Sequence, residues 1–527
     1  MANRNFSQNV ILGSWRVAIL LTVLVCSSFA QSSPAIAAAK LYVDQHGADV
    51  LRDFAQFLSM PDVARDTPAM RADIDKNATA IKAKLEQRGV TVQILNVENG
   101  FPAVYGEINL PHATRTVGIY AHYDGQPVEN QKWATAPFEP VLFKGTFDSG
   151  AARVPFADLT SPLPTESSEW RIYGRAASDD KGTIQAIFTA LDAMKAAGLA
   201  PSINIKFLFE GEEEQGSPHL PALMDKYSSL LKADTWLLCD GPRYQNGGVQ
   251  LVYGARGVMG LEMTLYGPKR ALHSGHYGNW APNPAVEIAH LISAMRDENG
   301  HILIPGFYDS ARKVTAEERA ALDSMPDMDD PLAKELALGR REGDGKKLKE
   351  LILQPALNVR GIRAGNVGTA ATNSIMTEAN ASIDFRLVPD QSPQTVRGPV
   401  EKFLTSLGYF IVHSTPDDAT RRAHAKLILL QWDDGYPAAR TRLDSPAAAS
   451  VARALEIFTG KGKLIRTPTL GGSIPMYLFQ QKLNAETMIL PIANYDNNQH
   501  SANENMRLQN LWDGVAIYTV LFTELGK

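Results

Sequence analysis

A histidine and an aspartate two residues apart, His122 and Asp124, follow directly on the apolar run Val117-Gly118-Ile119-Tyr120-Ala121. At a strand end this spacing can put an imidazole on a metal and a carboxylate behind it, which fixes the tautomer and raises the basicity of the ring. Taken alone, a His-x-Asp pair is more often structural. A second group, Ser178-Asp179-Asp180-Lys181-Gly182, stands just before a helical pattern. Helix capping and dipole compensation account for one acid there, and two adjacent acids exceed what a cap needs. The third group is Glu210-Gly211-Glu212-Glu213-Glu214-Gln215-Gly216-Ser217, after the β-rich run Ile203 to Phe209. Three consecutive carboxylates at the end of an apolar strand repel one another and call for cations to offset the repulsion.

Asp240 comes directly after the apolar run Thr235 to Cys239, and His500 follows the run Met488 to Ile492 within Asn497-Asn498-Gln499-His500-Ser501. Imidazole and carboxylate ligands without thiolate suit Zn²⁺, and also Mn²⁺ or Co²⁺. The five candidates His122, Asp179, Glu214, Asp240 and His500 are too many for one tetrahedral ion with an open position. They suit two ions per chain sharing one carboxylate.

The elements that must position these groups are legible nearby. Ile74, Ala78, Ile81 and Leu85 fall on one helical face over 70–88, with Gly89 as a stop. A second helix runs from about Thr183, where Ile184, Ile187, Phe188, Leu191 and Met194 repeat at helical spacing and Gly198 closes it. Strands alternating with helices argue for an α/β domain with a largely parallel sheet, whose carboxyl edge is the usual place for ligands. Leu261, Met263 and Leu265, and later Ile383, Phe385 and Leu387, alternate with polar or small residues, as in strands with one covered face. The expected organisation is a catalytic domain in two parts, 40–255 and 441–527, with an inserted α+β domain at 256–440. Residues 145–168, rich in Ser, Thr, Pro and Ala, read as a surface insertion, and Gly339 to Glu350 as a solvated loop or helix end.

In this order the motifs resemble the metal framework of a di-zinc peptidase family that includes carnosinase-type dipeptidases, glutamate carboxypeptidase, aminoacylase and acetylornithine deacetylase. The resemblance spans the chain from about Leu41 to its end. It implies a phosphorylase/hydrolase-like mixed sheet flanked by helices, with an inserted α+β lid and dimerisation domain. It also implies roles: His122 and Asp240 on one metal, Glu214 and His500 on the other, and Asp179 bridging. Asp124 would orient His122, and Glu213 would be the general base. Asp180 resembles a neighbour rather than a ligand, and Glu212 falls at a position that varies. Leu272-His273-Ser274-Gly275-His276-Tyr277-Gly278 is similar to the lid motif of the carnosinase-type dipeptidases. There His273 would act across a homodimer interface to stabilise the oxyanion. Arg386 in Phe385-Arg386-Leu387-Val388-Pro389, and Gly472 and Ser473 in Gly471-Gly472-Ser473-Ile474-Pro475, resemble groups that hold the substrate carboxylate. Ala176 replaces a frequent glycine, Leu470 a usual glutamate, and Asn373-Ser374-Ile375-Met376 a threonine-containing segment.

The bulk properties agree with a soluble enzyme. The chain has 527 residues, 44% hydrophobic and 21% charged, and a net charge of -5 with no basic stripe, which disfavours nucleic acid as a partner. Arg4 and Arg16 precede the apolar run Val17 to Val25, and small residues follow at Ser28-Phe29-Ala30 and Ala35-Ile36-Ala37. Residues 1–39 therefore read as a signal peptide, which makes the mature protein periplasmic or extracellular and not bound to membrane. Of the two cysteines, Cys26 would leave with the signal, and Cys239 reads as a buried apolar residue at a strand end. The expected activity is hydrolysis of dipeptides or short peptides with a free C-terminal carboxylate. The rivals are an N-acyl amino acid deacylase on the same framework and an exported solute-binding protein.

Overall fold

The computed structural model describes residues 33–129 and 131–527. Most of the expected signal segment lies outside the described residues. Its last part does not, because Ala35-Ile36-Ala37 forms the start of the helix Pro34–Leu58, with Ala35 and Ala39 buried.

The helix expected at 70–88 spans Pro68–Glu86. Thr67 caps it by accepting the Met70 N–H, and Ile74, Ala78, Ile81 and Leu85 are buried. Gly89 follows at φ +80°, a conformation that costs glycine little. Eight strands form the main sheet, in the order Thr91–Leu95, Ala103–Ile108, Asn204–Glu210, Thr116–His122, Thr235–Leu238, Glu486–Ile489, Gln250–Val252, Ile465–Thr467. The centre is parallel: Thr116–His122 pairs in parallel with both Asn204–Glu210 and Thr235–Leu238, and the latter with Glu486–Ile489. Antiparallel pairs at Thr91–Leu95 with Ala103–Ile108, at Ala103–Ile108 with Asn204–Glu210, and at Glu486–Ile489 with Gln250–Val252 make the sheet mixed. Gly118 lets the ring of Trp236 lie against the central strand, since a Cβ there would sit 2.2 Å from Trp236 Cδ2.

One face of the sheet is covered by three helices packed on one another, Pro34–Leu58, Lys181–Ala196 and Leu508–Glu524. Lys181–Ala196 is buried over most of its surface, which is why its apolar pattern runs almost without interruption. The other face packs on Leu220–Lys226 and Met476–Leu483.

A second sheet draws its strands only from 257–432, in the order Ala356–Arg363, Glu378–Leu387, Gly257–Tyr266, Leu427–Trp432, Phe410–Val412. Leu261, Met263, Leu265, Ile383, Phe385 and Leu387 point into its own core, as their alternation requires. The stretch 145–168 is folded onto the first helix: Ser161 Oγ accepts the Ala48 N–H, and Arg52 donates to the carbonyls of Phe156 and Leu159. Its strand Arg153–Val154 pairs with Val141–Phe143, which in turn pairs with Arg171–Tyr173, the strand leading into the Asp179 loop. Of the stretch Gly339 to Glu350, residues 339–347 form a loop that is largely exposed apart from Gly343, and the rest enters the short helix Leu348–Leu351. Among the described residues, no helix is long and apolar enough to cross a membrane.

Candidate metal centre

Parallel strands end together, and that brings the motifs together. His122 closes the central strand, in register with Glu210 on its neighbour. The acidic stretch after Glu210 does not continue the strand. It turns into a 3₁₀ helix, Glu213–Gln215, ended by Gly216 at φ +83°. The turn aims the backbone N–H groups of Glu213 and Glu214 at Asp124, which accepts both, at 3.0 Å on Oδ1 and 3.0 Å on Oδ2. Asp124 Oδ1 also lies 3.4 Å from His122 Nδ1, and the Asp124 carbonyl oxygen 3.1 Å from that nitrogen. One buried carboxylate thus orients a histidine and positions two glutamates.

Asp179 sits between two imidazoles. Its Oδ1 is 2.9 Å from His122 Nε2, and its Oδ2 is 3.1 Å from His500 Nε2, which is 3.5 Å from Glu214 Oε2. Two groups of potential ligand atoms result, each within 4.8 Å: His122, Asp180 and Asp240, and Asp179, Glu214 and His500. The structure therefore brings together all five residues read as ligands. It adds Asp180, which sequence resemblance set aside, to the pole of His122 and Asp240. Glu212 turns away from both, its carboxylate accepting the N–H groups of Phe101 and His219. The three consecutive glutamates therefore do not all converge.

The charge distribution fits two divalent cations. Asp240 Oδ1 and both oxygens of Asp180 are buried without a hydrogen-bond partner, an arrangement that is expensive unless a cation answers it. Burial, then the charge of Asp179, pushes Glu214 up to about 9 and Asp240 up to about 6. Burial and the carboxylates of Asp240 and Glu214 hold Glu213 well above the usual range, against the pull of His122. Burial works the same way on Asp179, but the two imidazoles outweigh it and hold that group well below the ordinary range.

The Asp179 loop is shaped by Glu504, a residue the sequence did not single out. Its carboxylate accepts the N–H groups of Ala176, Ser178 and Asp179, the Ser178 hydroxyl and the Arg175 guanidinium. Behind the loop Lys181 pairs with Asp62 at 2.8 Å, both side chains fully buried.

The residues expected to hold a carboxylate lie on both sides of the junction between the two sheets. Arg386 Nη1 donates to Ser473 Oγ at 3.0 Å, and its Nε to Asp384 Oδ2 at 3.0 Å. Arg256, also unforeseen, donates to the Gly471 carbonyl, and its pKa falls to about 10 through burial and the nearby charge of Arg386. Gly472 has only the Leu470 side chain near its open face. Tyr436 stacks on Tyr477 at 5.0 Å. Burial and the charge of Glu213 raise its hydroxyl, and Arg386 and Ser473 oppose them. His273 stands apart: it is exposed, and its Nδ1 accepts the Gly275 N–H at the start of Ser274–Tyr277. No hydrogen bond or ion pair joins it to the acidic cluster of its own chain among the described residues. Cys239 is buried and free, as expected.

Comparison with known proteins points to one peptidase family. The model of peptidase family M20/M25/M40 matches residues 153–524. The chain is 26% identical over 508 residues to the Cys-Gly metallodipeptidase dug1 of Schizosaccharomyces pombe, covering 93% of this chain and 98% of that one. It is 24% identical over 501 residues to the Beta-Ala-His dipeptidase of Rattus norvegicus, covering 92% and 94%. A metallo-carboxypeptidase of the M20 family from Sulfolobus solfataricus, Sso-CP2, superposes with a TM-score of 0.73 at 28% identity, covering 90% of this chain and 99% of that chain. Human carnosine dipeptidase 1 shares the fold, with a TM-score of 0.72 at 21% identity, covering 93% and 99%. With the family model matching well over half of its length, the chain belongs to peptidase family M20/M25/M40.

Proposed function

We propose that this protein is a metallodipeptidase that hydrolyses the peptide bond of dipeptides and similarly short peptides with a free C-terminal carboxylate. The observation that carries the reading is Asp179, whose two oxygens face His122 and His500, the only imidazoles of the cluster. Asp179, His122 and Asp240 would hold one divalent ion, and Asp179, Glu214 and His500 would hold a second. Asp180 reaches only the first pole. Zinc is the expected metal, because nitrogen and carboxylate donors suit it and no thiolate takes part. When bound, such ions supply positive charge that acidifies water and polarises the scissile carbonyl.

The chain's own groups do the rest. Glu213 accepts a proton from the attacking water and returns it to the leaving amine. Its burial among carboxylates raises its affinity for that proton. Asp124 holds His122 and the backbone of Glu213 and Glu214 in place. Arg386 and Ser473, already hydrogen-bonded to each other, offer donors to the C-terminal carboxylate at one end of the substrate, beside Gly472. His273 on the lid reaches the oxyanion of a partner subunit's substrate, which requires a homodimer formed through the inserted domain, 256–440. The curated relatives named above are dipeptidases, which supports peptides over N-acyl amino acids.

Export is the other part of the proposal, supported by the basic and apolar start of the sequence. Cleavage belongs at Ser28-Phe29-Ala30 rather than within 35–39, where Ala35 and Ala39 are packed in the core.

The test is a panel of dipeptides, their C-terminal amides and N-acyl amino acids, assayed with Zn²⁺, Mn²⁺, Co²⁺ or a chelator. Dipeptides should be cleaved, amides poorly, and the chelated protein should be inactive. Cleavage of N-acyl amino acids with dipeptides untouched would overturn the reading.

A further inference from the structure

Two residues beyond Asp124 the chain places a neutral donor, Gln126. His122, Asp124 and Gln126 recur at a spacing of two, which puts side chains on one side of an extended chain, and all three turn to the acidic cluster. Tyr123 between them turns instead to the Pro102 carbonyl. The backbone at Gly125 is fixed from behind. Its N–H donates to the Asp62 carbonyl at 3.0 Å, and a Cβ there would lie 2.8 Å from Asp62 Oδ1 and 3.0 Å from Arg175 Cδ. Pro127 restricts Gln126 itself to extended backbone. From this fixed backbone Gln126 Nε2 donates to Glu214 Oε2 at 2.7 Å. Asp124 thus holds the backbone of Glu214, and Gln126 holds its carboxylate.

The two groups of ligand atoms are not built alike. His122, Asp180 and Asp240 are all buried, and Asp124 faces His122 Nδ1. In the other group the His500 side chain is 53% exposed. Its Nε2 faces Asp179 and Glu214, and among the described residues no hydrogen bond reaches its Nδ1. A ligating imidazole is ordinarily oriented by a hydrogen bond to its second nitrogen. Without that restraint at His500, the geometry of the outer group rests on Asp179, fixed by Glu504, and on Glu214. Among the described residues Gln126 is the one neutral donor to the Glu214 carboxylate. We infer that Gln126 is a positioning residue for the ion of Asp179, Glu214 and His500. Its amide sets the Glu214 carboxylate in place; without it the chain keeps the ion of the buried group and loses its hold on the outer one. The inference rests on the two-ion reading.

The experiment adds Zn²⁺ to the metal-free full chain in competition with a chromogenic chelator, so that the first and second equivalents are read separately and without turnover. His500→Ala identifies the outer equivalent, because it removes a ligand of that group alone. Gln126→Met, of the same length but without a donor, should weaken that equivalent about 10–100-fold and leave the other unchanged. Gln126→Asn keeps the amide one methylene short and should fall between wild type and Gln126→Met. It carries the test by itself if the methionine variant does not fold.

A merely structural role gives a different pattern: both equivalents weaken together, and the denaturation midpoint of the metal-free chain falls. That pattern, or an outer equivalent that the Gln126 variants leave unchanged, overturns the inference. The reading beneath it fails in its own way. A wild-type chain that saturates at one ion refutes the two-ion reading and the inference with it. A wild-type chain that takes two ions, with variants that do the same at equal affinity, refutes the inference alone.

Discussion

Glu504 Oε1 accepts the backbone N–H of Asp179 at 3.0 Å across 325 residues of sequence. The same carboxylate holds Ser178 and Ala176 and pairs with Arg175 at 2.7 Å, so a single side chain shapes the loop that carries the bridging candidate. Glu504→Ala strands the Arg175 guanidinium in the core. It should destabilise the protein by about 3–5 kcal/mol, the range for breaking a buried ion pair. Glu504→Gln keeps the shape and part of the hydrogen bonding, and should lower metal affinity about 10–100-fold, as second-sphere changes do. Urea denaturation and metal titration measure the two effects. Unchanged metal affinity in both variants would remove the positioning role.

Glu213→Gln should keep its metal and fold but lose turnover by about 10²–10⁴-fold, because an amide cannot accept the proton. Elemental analysis alongside kinetics reads both quantities. Near-normal turnover, or loss of metal, rules out a base that is not a ligand.

Metal removal should make stability depend on pH in a defined direction. In the metal-free fold Glu214 is raised from 4.5 to about 9 and Asp240 from 3.8 to about 6. The folded chain therefore keeps protons that the unfolded chain has released. His122 and His500 are raised as well, His122 by Asp124 and Asp179 against burial and His500 by Asp179, which acts in the same sense. Stability of the chelated protein should fall as pH rises from about 5 to about 9. Saturating metal should flatten that slope. Denaturation midpoints at several pH values, with and without chelator, measure it. A metal-free protein that gains stability with rising pH contradicts the assignment.

The trans role of His273 predicts complementation. His273→Ala and Glu213→Gln chains should each be nearly inactive. After subunit exchange, a mixed dimer has one site with Glu213 on one chain and His273 from the other. Activity should return toward roughly a quarter of wild type if chains mix randomly and sites act independently. No recovery despite demonstrated exchange refutes the role.

Ala176 has φ +59°, a left-handed conformation that glycine adopts at less cost than alanine. Relief of left-handed strain is worth about 1–2 kcal/mol, and the added freedom of the unfolded chain offsets about 0.4–1 kcal/mol. Ala176→Gly should therefore raise stability slightly and leave KM unchanged. A lower denaturation midpoint would show that the loop is not strained.

Sequence alone was enough for what is local. The faces of Pro68–Glu86 and Lys181–Ala196, the alternation of Gly257–Tyr266 and the strand ends at His122, Glu210 and Asp240 follow from periodicity, caps and breaks within a few residues. Because parallel strands end on one edge, those motifs also implied that the acids and histidines would meet. Tertiary structure alone decided which of them face one another. Glu212 and Glu213 are adjacent, yet the turn after Glu210 sends the carboxylate of one to His219 while Asp124 holds the backbone of the other. Glu504, Arg256 and Tyr436 carry no local signal, because their partners lie on distant segments or across the junction of the two sheets. Burial and long-range pairing are properties of the packed chain, and no spacing within a motif encodes them.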